Sequence, residues 1–260
     1  MAAEDVNPLW YLLAAPQQAF EAVRRRFPVP SDRALRAHAV SFEADAARAR
    51  EIGRIDGLVE RLGGVPGVTH VLTRLSDRCF RTDHSHATGI RAWHMVGQVT
   101  GSAYFSTPLE VPELLRRIRD AEVAGWGTGL AGDPRLPEQP GTVAAALAHY
   151  RDGGLRADGT ERPPPRIAMS GTTLDWDLPG SPLPDPPPLP ADGGLYSWRR
   201  DDPDAVEKVL AARARHGLVL RLEFGGHWNP DIRYYYGVRR RPRRGGRWRR
   251  RTEVVRGPDA

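Results

Sequence analysis

Hydrophobic and polar residues alternate along much of the C-terminal part of the chain, and this alternation restricts the fold more than any other feature. In residues 218–224 every second residue is leucine or phenylalanine. A period of two places successive side chains on opposite faces of a strand, so this run predicts a strand with one buried face. The alternation resumes on both sides of the Gly-Gly pair 245–246, and residues 232–241 and 248–256 are therefore predicted to form one hairpin.

The residues before these strands have the start and stop signals of a helix. Asp202 can accept hydrogen bonds from the free N–H groups of a first turn, Pro203 suits that turn, and Gly217 can end the helix. The predicted buried stripe consists of Val206, Val209, Leu210 and Ala214. With a candidate strand at 195–199, this section predicts the order β-α-β-β-β, with the helix on one face of a mainly antiparallel sheet.

An earlier section predicts a second unit of the same kind. Hydrophobic residues recur at steps of three and four over 41–62, strands are predicted at 68–75 and 92–105, and helices follow near Pro112 and over 142–150. We therefore predict an α+β fold of two small two-layer α/β sandwiches of ferredoxin-like character. The second sandwich ends in the arginine-rich hairpin.

The stretch between these units is rich in proline, which cannot continue a helix or a central strand. We predict a stiff spacer interrupted by one short strand, and a polyproline ligand for another protein is the alternative. The predicted divisions are an N-terminal helical extension at 1–40, a first α+β domain at 41–154, a proline-rich connector at 155–193, and a second α+β domain with the basic hairpin at 194–257.

The positive charge of the chain is concentrated in one place. The 38 basic and 32 acidic residues give a net charge of +6, and every basic residue except Lys208 is an arginine. Residues 237–251 contain nine arginines and no acid, so the remainder has 29 basic and 32 acidic residues, a net charge of −3. A mildly acidic body with one basic element suggests a polyanion, an acidic protein surface or membrane head groups as partner. The abundance of Arg, Ala, Gly and Pro is also typical of a high-GC genome, such as that of an actinobacterium.

Aromatic residues lie among the arginines of the hairpin. Guanidinium groups pair with phosphate, and aromatic rings stack on unpaired bases. The alternative is a strand edge whose charge blocks aggregation. The candidate residues for binding a protein partner or a nucleic acid are Tyr235, Arg239, Arg240, Arg241, Arg243, Arg244, Arg247, Trp248, Arg249, Arg250 and Arg251.

A second candidate site lies in a polar stretch that is predicted to be a loop. His84 and His86 are separated by one residue, which places both imidazoles on one side of an extended segment, an arrangement that suits zinc. Cys79 or Asp83 could add a ligand. Two surface histidines without a metal are the alternative, and zinc at this site is the only cofactor we consider. The pair Asp175 and Asp177 offers two carboxylates on one face of a strand, or simply its polar side.

Three functional classes follow from these patterns. The first expectation is a non-catalytic protein-interaction protein whose basic hairpin docks an acidic partner, most simply another protein. The alternatives are an RNA- or DNA-binding protein that uses the hairpin, and a metal-dependent enzyme centred on Cys79, His84 and His86. The single cysteine excludes an intrachain disulfide and fits a cytoplasmic location. The short apolar run at 9–15 predicts neither a signal peptide nor an integral membrane protein.

Overall fold

The computed structural model describes residues 31–81, 93–123, 142–155, 159–161, 165–169, 172–190, 194–225, 233–241 and 249–256. Within these residues, the helices are α1 (Asp32–Ala39), α2 (Phe42–Gly63), α3 (Val111–Asp120), α4 (Val143–Arg151) and α5 (Ala205–His216). The strands are β1 (Thr69–Arg81), β2 (Trp93–Thr107), β3 (Ile167–Met169), β4 (Thr172–Trp176), β5 (Tyr196–Arg200), β6 (Leu218–Phe224), β7 (Arg233–Arg241) and β8 (Arg249–Arg256).

Short polar side chains start three of the helices. The hydroxyl groups of Ser31, Ser41 and Thr142 each accept a hydrogen bond from the backbone N–H three residues later, at 3.3, 3.3 and 3.1 Å. These bonds satisfy N–H groups that have no partner within the first turn. At the other end of α5, Gly217 has a φ of 82°, a left-handed conformation that favours glycine, as predicted for this helix stop.

The strands form one antiparallel sheet with the order β3-β4-β6-β2-β1-β5, and β7 and β8 extend it beside β2. The C-terminal half of β2 pairs with β6, whereas its N-terminal half pairs with β7. The predicted α+β class is confirmed. The strands are not divided into two separate sheets, as the predicted sandwiches require, because β2 has partners from both halves of the chain. The ferredoxin-like layout and the predicted domain limits stay predictions.

One face of the sheet, which we call the helical face, is covered by helices α1 to α4. A single hydrophobic core lies between these helices and the sheet. The strand residues that are fully buried in it include Leu75, Met95, Val99, Phe105, Leu220 and Leu222. The predicted burial of one face of residues 218–224 is therefore confirmed.

The opposite face, which we call the outer face, is covered in part by α5. Ala205 and Val209 of this helix pack on Leu72, Tyr104 and Val219 of the sheet. The predicted stripe of α5 is wrong in three of its four positions, since Val206 and Leu210 are 39% and 47% exposed and Ala214 is exposed as well. The helix is rotated so that the small Ala205, and not the larger Val206 or Leu210, meets the sheet.

Part of the proline-rich stretch also lies on the outer face. Leu183 packs against the cluster beneath α5, and its carbonyl accepts a hydrogen bond from Arg213 at 3.1 Å. Arg74 of β1 donates to the carbonyl of Pro187 at 2.8 Å. The same stretch supplies β3 and β4 to the sheet. These residues are therefore part of the packed fold and do not act only as a spacer.

Candidate functional site

Strands β7 and β8 form the predicted arginine hairpin. Six of the predicted binding residues lie directly opposite one another in it, in the pairs Arg239–Arg251, Arg240–Arg250 and Arg241–Arg249. Residues directly opposite in an antiparallel pair share a face, with Cβ atoms about 4.5–5.5 Å apart. The register thus places six arginine residues in three successive rungs. The remaining predicted residues Arg243, Arg244, Arg247 and Trp248 lie outside the described residues.

The register between β7 and β2 determines which face each hairpin residue occupies. Tyr236 lies opposite Met95, which is buried in the core of the helical face, and Tyr235 lies opposite Val96. Even-numbered residues of β7 therefore belong to the helical face and odd-numbered residues to the outer face. Consistent with this, helix α2 contacts both β7 and β8, although α5 is the nearest helix along the chain.

Most of the paired arginines lie on the outer face. Arg239 and Arg241 belong to it, together with their partners on β8, whereas the pair Arg240–Arg250 belongs to the helical face. The predicted aromatic residue Tyr235 shares the outer face with the larger group. This placement gives four arginines and one tyrosine a common surface.

The register of the hairpin places residues of like charge directly opposite one another. Like charges directly opposite each other destabilise a β-sheet. The two strands hold eight arginines, and their one acidic residue, Glu253, lies opposite Gly237. A multivalent anion would relieve this repulsion. The alternative role also stays open, because among the described strands β8 pairs with β7 alone and is thus a charged edge.

Two residues of the outer face beside the hairpin were not predicted from the sequence. Strand β1 extends to Arg81, beyond the predicted end at residue 75, and so includes Arg78 and Phe80. The even-numbered residues of β1 share the outer face with Leu72, which places both residues there. The sequence holds no local signal for this extension, because the charged Asp77 occupies a core position and the aromatic Phe80 lies on the outer face.

The predicted metal ligands are not brought together in the described part of the chain. Cys79 lies in the interior of β1, opposite Gly97 on one side and Tyr196 on the other, and it is fully buried in the hydrophobic core. The position predicted for it, in a polar loop, is therefore wrong, because β1 continues through it. Asp83, His84 and His86 lie outside the described residues, and a zinc site at these histidines stays a prediction.

The two carboxylates of the predicted acidic pair each have their own arginine. Asp175 pairs with Arg221 at 3.4 Å across β4 and β6. Asp177 pairs with Arg213 of α5 at 2.9 and 3.1 Å and accepts the backbone N–H groups of Leu183 and Val219. The hydrogen bond to Asp177 raises the pKa of Arg213. These contacts hold α5 and the proline-rich stretch on the sheet, so both carboxylates have structural roles.

A serine–histidine pair joins the end of α5 to β2. The Oγ atom of Ser106 lies 2.8 Å from Nδ1 of His216, and Ser106 is buried. Nucleophilic catalysis by serine needs the histidine to be oriented by a further group. Within the described residues, no carboxylate pairs with His216. This contact therefore ties the C-terminal end of the helix to the sheet.

Among the described residues, every helix is too short or too polar to cross a bilayer. The chain matches no protein-family model, no curated protein and no solved structure. Its function is therefore inferred from the chemistry of its own residues, and the arginine hairpin is the feature with the clearest chemistry.

Proposed function

We propose that this chain is a non-catalytic binding protein whose arginine hairpin docks an acidic partner. The three facing arginine pairs of β7 and β8 carry this proposal. Guanidinium groups bind carboxylate and phosphate in the same bidentate manner, so the pairs alone suit an acidic protein surface and a nucleic acid equally. The proposal places the protein in the cytoplasm, as the single cysteine suggests.

The arrangement of the hairpin arginines in facing pairs supports a binding role more than a purely structural one. A strand edge is protected from aggregation by one or two charged residues, and three successive rungs of facing arginines add repulsion without further protection. Such a cluster becomes favourable only when an anion lies between the guanidinium groups. The hairpin should therefore bind anions with several charges in preference to single ions.

Binding of fluorescent polyanions to the full chain tests this proposal. Polyglutamate, a single-stranded oligonucleotide and a duplex are titrated over a series of NaCl concentrations, with fluorescence anisotropy as the readout. We expect at least one probe to bind at low salt and to be released steeply as salt rises. The double variant Arg239→Gln/Arg251→Gln should weaken this binding and flatten its salt dependence.

The matched control changes two exposed arginines of α1, Arg33→Gln/Arg36→Gln, which removes the same charge from the helical side of the molecule. An equal loss of affinity in both double variants would mean that only net charge matters and would count against the hairpin. Absence of binding to all three probes at low salt would overturn the proposal. Because the hairpin variant removes a like-charge pair, its free energy of unfolding should not fall.

A further inference from the structure

Two rows of residues cross the outer face beside the hairpin, each running over β1, β2 and β7. The rows follow from the register of these strands. The first row consists of Phe80, Val96 and Tyr235, and the second of Arg78, Gln98 and Arg233. Adjacent strands are about 4.8 Å apart, so the two aromatic positions of the first row lie about 10 Å from each other.

Phe80 lies on the outer face near the C-terminal end of β1. It is 38% exposed, whereas Cys79 beside it and Asp77 of the same strand are fully buried on the helical face. Helix α5 and the proline-rich stretch cover the outer face around Leu72 and Tyr104, further along β1 and β2. An aromatic ring on an uncovered sheet face offers its π-surface to a ligand.

Arg78 lies on the same face of β1 as Phe80, two residues earlier, and within the described residues one nitrogen of its guanidinium group is left without a hydrogen bond. Arg74 pairs with Asp201 at 2.7 Å, and Arg221 pairs with Asp175 at 3.4 Å. In the described part of the chain, the Nε atom of Arg78 is buried and has no hydrogen-bond partner. A buried donor without a partner is unfavourable, so an anion that reaches this guanidinium group at the sheet surface would be stabilised by it.

These rows continue the arginine-bearing face of the hairpin. Tyr235 precedes Arg239 by four residues and Arg241 by six on the same face of β7, which corresponds to about 14 and 20 Å along the strand. The outer face therefore carries a strip of arginines that ends at two aromatic positions. A partner molecule that binds along this strip must carry anionic groups at one end, and both anionic groups and flat rings at the other.

We propose that the acidic partner is a single-stranded nucleic acid, with phosphates on the outer-face arginines and bases stacked on Phe80 and Tyr235. This inference rests on the proposed function and assigns its partner. A duplex presents its phosphates but keeps its base faces stacked inside, and an acidic protein surface has no flat rings in regular alternation with its charges. The aromatic row beside the arginine strip therefore favours the single strand.

Variants of Phe80 test the inference in the full chain. Phe80→Leu keeps an apolar side chain but removes the ring, and it should weaken binding of single-stranded dT12 or rU12 about 5- to 100-fold. Phe80→Tyr should restore most of the affinity, because it restores a stacking surface. Phe42→Leu is the matched control, since Phe42 is 84% exposed at the start of α2 on the helical side. It should leave the affinity unchanged.

Paired arginine variants test the face. Arg239→Gln/Arg251→Gln on the outer face should reduce the slope of log affinity against log salt by roughly 1.4 for a single strand. Arg240→Gln/Arg250→Gln removes the same charge from the helical face of the hairpin and should change the slope by less than half as much. Arg78→Gln should weaken single-strand binding and reduce the slope by roughly 0.7.

The outcomes separate this inference from the proposed function. If polyglutamate or the duplex binds as tightly as the single strand and Phe80→Leu changes nothing, the hairpin docks an acidic partner but the single-strand inference is overturned. If no polyanion binds at low salt, both fail. If the single strand binds best and only Phe80 and outer-face variants weaken it, both are supported. Unfolding curves of each variant exclude loss of fold as the cause.

Discussion

Replacing Asp77 by asparagine tests the buried ion pair that joins α2 to the centre of the sheet. The carboxylate of Asp77 is fully buried in β1 and accepts a hydrogen bond from Nε of Arg48. Arg48 also pairs with Asp45 and donates to the carbonyl of Ala39 at 3.0 Å, and its guanidinium lies 4.1 Å from the centre of the Tyr196 ring. One arginine side chain thus connects α1, α2, β1 and β5.

The expected magnitude follows from the burial of both groups. Removing one partner of a buried ion pair typically costs about 3–5 kcal/mol, because the other charge is left without compensation in a poorly solvated place. Asp77→Asn keeps a hydrogen-bond acceptor, and Arg48 keeps Asp45, so we expect about 3 kcal/mol. Arg48→Met leaves the carboxylate of Asp77 buried without this arginine and should cost about 4–5 kcal/mol. Either loss is a large share of the 5–15 kcal/mol that is typical of a folded protein.

Urea denaturation at neutral pH, followed by tryptophan fluorescence, measures these changes. Asp45→Asn is the control, since its mostly exposed side chain shares the same arginine, and it should cost less than about 1 kcal/mol. The double variant Arg48→Met/Asp77→Leu should lower the free energy of unfolding by clearly less than the summed losses of single changes at Arg48 and at Asp77. In the double variant neither charge is left buried without its partner. If Asp77→Asn is no more harmful than Asp45→Asn, the ion pair does not stabilise the sheet as argued.

Two further expectations concern stability. Leu222→Ala removes a fully buried side chain from β6 and should lower the free energy of unfolding by about 2–5 kcal/mol. Leu210→Ala on the exposed side of α5 should lower it by less than about 1 kcal/mol. Equal losses would contradict the rotation of α5 described above. The hydrogen bond from Arg74 holds the pKa of Asp201 below its ordinary value of 3.8, so the contribution of this carboxylate to stability is present above that value and lost as pH falls through the lowered pKa of the folded state. The difference in unfolding free energy between the wild type and Asp201→Asn should accordingly shrink as the pH is lowered below 3.8, and a difference that grows there would refute the assignment.

The strands near the C-terminus were predictable because every second residue of each strand lies on the core side of the sheet. In β6 one face meets the core along its whole length, so the alternation of leucine with other residues matches the structure. In β7 the even-numbered residues share the face of Met95, which agrees with the alternation predicted for this strand. The three- and four-residue period predicted α2, and Gly217 predicted the end of α5, because both signals act within a few residues.

The end of β1 was not predictable, because a charged residue occupies a core position there. Asp77 lies on the helical face, where a period of two calls for an apolar side chain. Its charge is compensated by Arg48, which is 29 residues earlier and belongs to a helix. A contact of this range leaves no local signal, so the strand was expected to end at residue 75. The same error hid Arg78 and Phe80 and placed Cys79 in a loop.

The rotation of α5 and the pairing of β2 with both β6 and β7 also depend on contacts that hydrophobic patterns do not predict. Val206, Val209 and Leu210 give the helix a broad apolar side, and of these three only Val209 is buried, in the cluster that Leu183 of the proline-rich stretch also contacts. The double pairing of β2 depends on its length of 15 residues, which leaves room for β7 beside β6. Hydrophobic patterns predicted that β2 was a strand, but not that it had two partners along one edge.

The register of β7 on β2 links the fold to the proposed binding strip. Because successive residues of a strand alternate between faces, a shift by one residue would move every hairpin side chain to the opposite face. The four outer-face arginines would then move to the helical face, and Arg233, which lies opposite Gln98 in the sheet, would meet the core, where burying its charge is unfavourable. The apolar even-numbered residues Tyr236 and Val238 oppose such a shift, since they would lose the helical face. The same alternation that makes residues 233–241 fold as a strand therefore also determines which arginines a ligand meets beside Phe80.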